Sequence, residues 1–167
     1  MFDRVVGILK LDRICFEEIE HDHNATLQAF LIVVVVSLVS SLGGGIGASL
    51  RNQSFFGSFF VSLVWSFFGW LLWSVVSHLV GTALFGGKGS LIGMLRVVGY
   101  AYVPQLLGII PCIGGVIGWI WSLLAGFVAV RQGLDLDNLK AFFTIAIGFL
   151  VYVAGQVFIG IFLFPIR

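Results

Sequence analysis

Charge is what this chain has least of. Only 10% of its 167 residues are Asp, Glu, Lys or Arg, against about 25% in an ordinary soluble domain. A lone soluble domain of this size needs a charged surface to stay dispersed, so composition alone excludes one. The few charges are also unevenly placed. Residues 25–50, 52–87, 97–130 and 141–166 contain no Asp, Glu, Lys or Arg. A bilayer core about 30 Å thick is crossed by about 20 apolar residues in a helix. With 59% hydrophobic residues and a mean hydropathy of +1.10, the chain reads as an all-α, polytopic transmembrane helical bundle.

Other shortages exclude other functions. Nine basic residues and a net charge of +1 form no Lys/Arg stripe of the kind a nucleic acid needs. The two cysteines, Cys15 and Cys112, are isolated in sequence, which gives no metal-type pair. His21-Asp22-His23 has no further clustered ligand and reads as a solvated acidic turn rather than a metal site. Residues 1–24 hold nine charged side chains and no apolar core segment, so they do not read as a cleavable signal peptide. No span holds an Asp or Glu. The expectation is therefore no catalytic set, no metal and no cofactor, because acid–base chemistry needs titratable groups in mutual reach.

The charge gaps define five spans, at about 25–46, 55–85, 91–110, 113–130 and 141–164. Asn24 or Thr26 is placed to cap the first, and the glycines at 43–45 and 47 are expected to end it. Pro111 and the glycines after it split the third run into a hairpin. Arg96 lies one turn inside the third span, close enough to snorkel to the headgroups. Asp135 or Asp137 suits the start of the fifth. A four-span arrangement, with Pro104–Gly115 as a re-entrant hairpin, is the competing topology. With the N-terminus inside, Arg4, Lys10, Arg13, Lys88, Arg96, Arg131 and Lys140 face one side, and only Arg51 and Arg167 the other. Positive-inside counting thus predicts a cytoplasmic N-terminus and an external C-terminus.

Several polar features fall inside the spans. Ser54, Ser58, Ser62 and Ser66 recur every fourth residue, with Gly69 following. They share one helix face, where small residues admit a close neighbour. Packing is the preferred reading, and a hydrophilic path the alternative. Gly43/Gly47 and Gly114/Gly118 have the same close-packing spacing. Pro104 is expected to kink the third span, and Tyr100 needs a partner there. Gln105 and Gln156 are expected to make interhelical hydrogen bonds. His78 reads as an interfacial histidine.

The N-terminal segment, 1–24, has Phe2, Val5, Val6 and Leu9 at helical spacing. Phe16 and Ile19 continue an apolar side, and Asp12 can cap a second short helix. The pattern predicts an amphipathic element on the inner membrane face. Its acidic half is placed to pair with Lys88, Arg96, Arg131 or Lys140.

A family resemblance rests on the order of these features. Phe16-Glu17-Glu18-Ile19, then Asp22 and Asn24, precede the first span. Gly86-Gly87-Lys88-Gly89-Ser90 is followed by Arg96 and by Gly99-Tyr100 through Pro104. Pro111 leads a glycine turn, and Gly133-Leu134 precedes Lys140-Ala141. The chain resembles the Yip family of Ypt/Rab-interacting membrane proteins, in its short prokaryotic form. The resemblance implies an integral protein of the prokaryotic plasma membrane, with a cytoplasmic N-terminus and five helices. Eukaryotic members act in vesicle traffic, as partners of small GTPases and of one another. This chain has neither their long N-terminal region nor their Asp-Leu-Tyr-Gly-Pro motif, which argues against a GTPase partner. The expected role is a non-enzymatic membrane adaptor or organiser in homo- or hetero-oligomeric contacts. The alternative is a small passive transporter or channel subunit.

Overall fold

The structure is a computed structural model. It describes residues 2–109 and 114–163, with side-chain environments for 2–107, 115–151, 153 and 154. Pro111 and Cys112, and the side chain of Gln156, lie outside these residues. The described residues form helices α1 (Phe2–Leu9), α2 (Arg13–His21), α3 (Ala25–Ser49), α4 (Phe55–Phe85) and α5 (Leu91–Ala101). A 3₁₀ segment, Val103–Ile109, follows, then α6 (Gly114–Gly133) and α7 (Asn138–Leu163). There is no strand among them.

Among the described residues, three helices are long and apolar enough to cross a membrane: α3, α4 and α6. The described apolar parts of α5 with its 3₁₀ extension and of α7 are shorter. The 31-residue α4 has the bounds its charge gap implies, and would be about 46 Å long at 1.5 Å per residue. Ser54 caps it by accepting from the Gly57 amide at 3.2 Å. Gly86 ends it in the left-handed conformation, φ 71°, which glycine adopts without a Cβ penalty.

Two helix boundaries differ from expectation. First, α3 does not stop at the glycines but runs through them to Ser49. An apolar environment offers the backbone no other hydrogen-bond partner, so a glycine run there stays helical. The glycines serve packing instead. A Cβ on Gly44 would lie 2.9 Å from Ser62 Oγ, and one on Gly45 2.8 Å from the Phe55 ring. Gly43 and Gly47, the pair singled out by spacing, meet nothing within 4 Å.

Second, Pro104 does not kink one continuous helix. α5 ends at Ala101, and the chain continues as 3₁₀ from Val103. A residue before proline disfavours the α conformation, and Pro104 has no amide to donate back. The α6 helix closes on this break: a Cβ on Gly118 would sit 2.6 Å from the Pro104 carbonyl oxygen.

At the centre lies α5. Gly93, Met94 and every residue from Arg96 to Ala101 are buried. Trp70 of α4 donates its indole N–H to the Leu95 carbonyl at 3.1 Å. α1 and α2 pack on α5 and α6. Ile8, Phe16 and Ile19 are fully buried in that contact, whereas Phe2 is 77% exposed. The apolar side of the N-terminal segment is thus covered by the bundle, and its register differs from the Phe2/Leu9 pattern read in sequence.

Candidate functional site

The site forms where α1 and α2 meet α5. Asp12 ends the turn between the two short helices and caps α2, accepting from the Ile14 amide at 3.1 Å. A Cβ on Gly7 would lie 2.7 Å from Cys15 Sγ, so the two helices are in close contact there. The Cys15 thiol is buried, and loss of hydration pushes its pKa up. It behaves as a small apolar residue.

Arg96 is the hub. It is 6% exposed, so it does not snorkel; its side chain is spent on the N-terminal segment. Nε donates to Thr26 Oγ1 at 2.7 Å, Nη1 to the Glu20 carbonyl at 2.6 Å, and Nη2 to His23 Nδ1 at 3.3 Å. A guanidinium only donates, so His23 Nδ1 is the acceptor in this contact. Burying a cation is costly unless its donors are satisfied, and three acceptors from one segment do so here. His21 points elsewhere, with Nδ1 on the Glu17 carbonyl at 3.0 Å. The two histidines of the His-Asp-His stretch therefore have separate tasks.

One turn further along α5, Tyr100 continues the network. Its hydroxyl donates to Gln28 Oε1. Gln28 also accepts from Arg4 Nη1 at 3.4 Å, and Arg4 Nη2 pairs with Asp22 at 2.7 Å. Asp22 accepts from the Asn24 amide as well, at 2.9 Å. That backbone hydrogen bond, then the bond from Arg4, holds its carboxyl below the usual range. Asp22, not Asn24 or Thr26, supplies the side-chain acceptor at the α3 entrance, since Asn24 makes no capping bond. Glu20 is shifted the other way, upward, by burial. Of the cations expected to pair with the acidic half, Arg96 reaches the Glu20 backbone carbonyl rather than a carboxylate, and the ion pair among the described residues is Arg4–Asp22. The Lys88 and Lys140 side chains are exposed, and Arg131 Nε is buried with no hydrogen-bond partner among the described residues.

The loops at the same end complete the site. The Lys88 amide donates to the Leu134 carbonyl at 3.1 Å. A Cβ on Gly81 would lie 2.3 Å from Leu134 Cδ1, and one on Gly133 2.9 Å from Val97. Ser90 caps α5 through the Gly93 amide at 2.9 Å, and Gly93 abuts the Glu20 side chain. Asp137 caps α7 through the Lys140 amide at 2.9 Å, while Asp135 sits in the turn at φ 52°. Motif residues of α2, the 86–90 loop, Arg96, Tyr100 and Gly133-Leu134 therefore converge on one end of the bundle. The family model described as the Yip1 domain matches residues 6–161.

The chain belongs to the Yip1 domain family. It is an integral membrane protein whose described residues form helices and turns with no strand. No curated protein and no solved structure matches it. Within this Yip1 domain, Gly99 is a further point of close approach between α5 and α3: a Cβ there would lie 2.9 Å from that of Ala29.

The intramembrane residues divide into two groups. Ser62 packs on Gly44, and Ser66 accepts from Ser37 of α3 at 2.9 Å. Part of the serine stripe is therefore a helix contact. Ser66 and Gly69 also border a cavity of about 290 Å³ between α4, α5, α6 and α7, and Gln105 lies on its wall. His78 is apart from both groups. Its Nδ1 is buried without a hydrogen-bond partner among the described residues.

The sequence pattern singles out Arg96 and Tyr100, and an acidic stretch holding Glu20 as a partner for Arg96, but not Thr26, His23 and Gln28. These lie about 70 positions away along the chain. The one signal available was a Thr and a Gln in the first turn of an otherwise apolar span.

Proposed function

We propose that this Yip1 domain is a non-enzymatic membrane adaptor, working through helix–helix contacts and through its docked N-terminal helices. It crosses the bilayer five times, with α5 and its 3₁₀ extension as the third crossing. The N-terminus lies in the cytoplasm of a prokaryotic cell and the C-terminus outside, as the distribution of Lys and Arg favours. The observation that carries the reading is the lock between Arg96 and residues 20–26. It holds α1 and α2 in place with Glu17 and Glu18 exposed on α2, a fixed acidic edge suited to a protein surface. A small GTPase is not the partner proposed, since the motif associated with that role is missing; a second copy or another membrane protein is.

The test places a photo-crosslinkable residue at Glu17 or Glu18 in native membranes. A discrete adduct is expected, at least fivefold weaker in Arg96→Ala, which releases the helices. A folded protein that gives no adduct from either position and runs as a monomer in mild detergent rejects the reading.

A second reading is a passive transporter or channel subunit. What favours it is that Ser66, Gly69 and Gln105 border one cavity. Solute flux in liposomes that disappears in Gln105→Leu would establish it. Ser62→Leu is uninformative here, because Ser62 packs on Gly44 and the change would disturb the helix contact itself.

A further inference from the structure

The cavity between α4, α5, α6 and α7 has a composition of its own. Three of the chain's five tryptophans, Trp65, Trp73 and Trp119, line it, together with Gln105, Ser122 and Gly126. No charged side chain is among its described lining residues. Trp119 is 58% exposed, so the mouth opens on the lateral face of the bundle, which in a membrane meets lipid. Only a molecule dissolved in the bilayer has access by that route.

The wall decides what kind. The absence of charge in the lining disfavours a phosphate headgroup, a carboxylate or an ion, each of which needs a partner away from water. A plain alkyl chain fits the apolar part but leaves a polar one unmet. Ser122 Oγ is buried with no hydrogen-bond partner among the described residues, and in hydrocarbon such a group seeks one. Gln105 offers both a donor and an acceptor on the same wall. Indole faces favour a flat ring stacked or set edge-on against them. A volume of about 290 Å³ is at the lower end of small-molecule sites, enough for one ring system but not for a whole glycerolipid.

The geometry points to a binding site for a neutral, membrane-soluble ring molecule bearing a carbonyl or hydroxyl oxygen, seated between the tryptophans and hydrogen-bonded by Ser122 and Gln105. An isoprenoid quinone and a polycyclic alcohol of the sterol type share this chemistry. The site is independent of the adaptor reading, since none of its residues belongs to the Arg96 network.

The experiment uses the full chain in lipid nanodiscs and reads tryptophan fluorescence. One arm titrates a short-chain benzoquinone, a quencher; the other titrates a sterol against the quinone-quenched protein. Saturable quenching is expected, reversed by the sterol if the alcohol is the better ligand and not reversed if the quinone is. Gly126→Leu fills the cavity, and a Cβ at Gly126 meets nothing within 4 Å, so the fold should accept it. That variant is expected to weaken the quinone at least tenfold. Ser122→Ala with Gln105→Leu removes the hydrogen bonds at little change in volume and serves if Gly126→Leu does not fold. Quenching that rises linearly with quinone mole fraction, equal in wild type and variants, is partition into lipid and overturns the proposal. Quenching by a brominated acyl chain alone that saturates and is lost in Gly126→Leu overturns it too, since the site would then be an acyl-chain groove.

Discussion

Gly89 lies against Gly133 so closely that a Cβ on Gly89 would sit 1.6 Å from the Gly133 carbonyl oxygen. Two loops that end different helices, α4 and α6, are thus in direct backbone contact. Backbone cannot move aside as a side chain can. Gly89→Ala is expected to destabilise the domain by about 3 kcal/mol, the upper part of the range for overpacking. Gly43→Ala, where nothing lies within 4 Å, should be neutral or slightly stabilising, because alanine is the better helix former. Thermal melting of both variants in one detergent checks the contrast.

Arg96→Ala should release the N-terminal helices without unfolding the bundle. It strips the Thr26 hydroxyl, the Glu20 carbonyl and His23 Nδ1 of their common donor. Thr26 and His23 lie at the surface and Glu20 is half-buried, so the freed acceptors can turn to water and each lost bond costs about 1 kcal/mol. Amide hydrogen exchange should rise at least tenfold in residues 2–21 while α3 and α4 stay protected. Arg96→Lys should recover only part of the protection, since an ammonium lacks the planar fork that reaches three acceptors at once.

Tyr100→Phe tests the second half of the network. It keeps the ring, which is buried, and deletes the hydroxyl that donates to Gln28. The expected loss is about 1 kcal/mol, below that of Arg96→Ala, because Gln28 keeps its bond from Arg4. Chemical denaturation in mixed micelles would rank the two.

Asp22, held by the Asn24 amide and then by Arg4, gives a pH dependence with a definite sign. The Asp22 carboxyl is held low in the folded state. Its stabilising part is therefore complete above the unfolded aspartate value of about 3.9 and disappears as pH falls through the lower folded value. Glu20 is raised by burial, so its part has the opposite sign: ionisation on going up through the unfolded value opposes docking. Asp22→Asn should flatten the acid-side loss of N-terminal protection, and Glu20→Gln should strengthen docking at neutral pH. Limited proteolysis between pH 3 and 7 reads both.

Ser66→Ala should cost about 0.6 kcal/mol, the size of an average interhelical hydrogen bond in a membrane protein. Its partner Ser37 is fully buried, which makes the pair measurable by a double-mutant cycle with Ser37→Ala.

Much of this was legible in the chain itself. The bounds of α4, the Asp12 cap and the Asp137 cap follow from local chemistry: charge gaps, proline and carboxylates beside amides. Arg96 and Tyr100 were also recognisable as positions of interest from the order of the family motifs. In water a glycine run signals a helix stop and a proline inside a helix a kink. Within apolar surroundings the backbone has nowhere else to bond, so α3 continues. Pro104 ends α5, and α6 closes on the break at Gly118.

The sequence alone determined that this protein lives in a membrane, which segments are apolar and where its few charges gather, because those properties depend on composition and near-neighbour spacing. The tertiary structure decided what the charges do. Arg96 was placed by spacing one turn inside a span, where an isolated helix would send it to the headgroups. In the folded bundle it is enclosed by α2 and the start of α3, and its donors go to residues 20, 23 and 26. No local rule links positions 70 residues apart. Only packing α1 and α2 onto α5 brings them within hydrogen-bond distance, and that packing is driven by Ile8, Phe16 and Ile19 leaving contact with solvent.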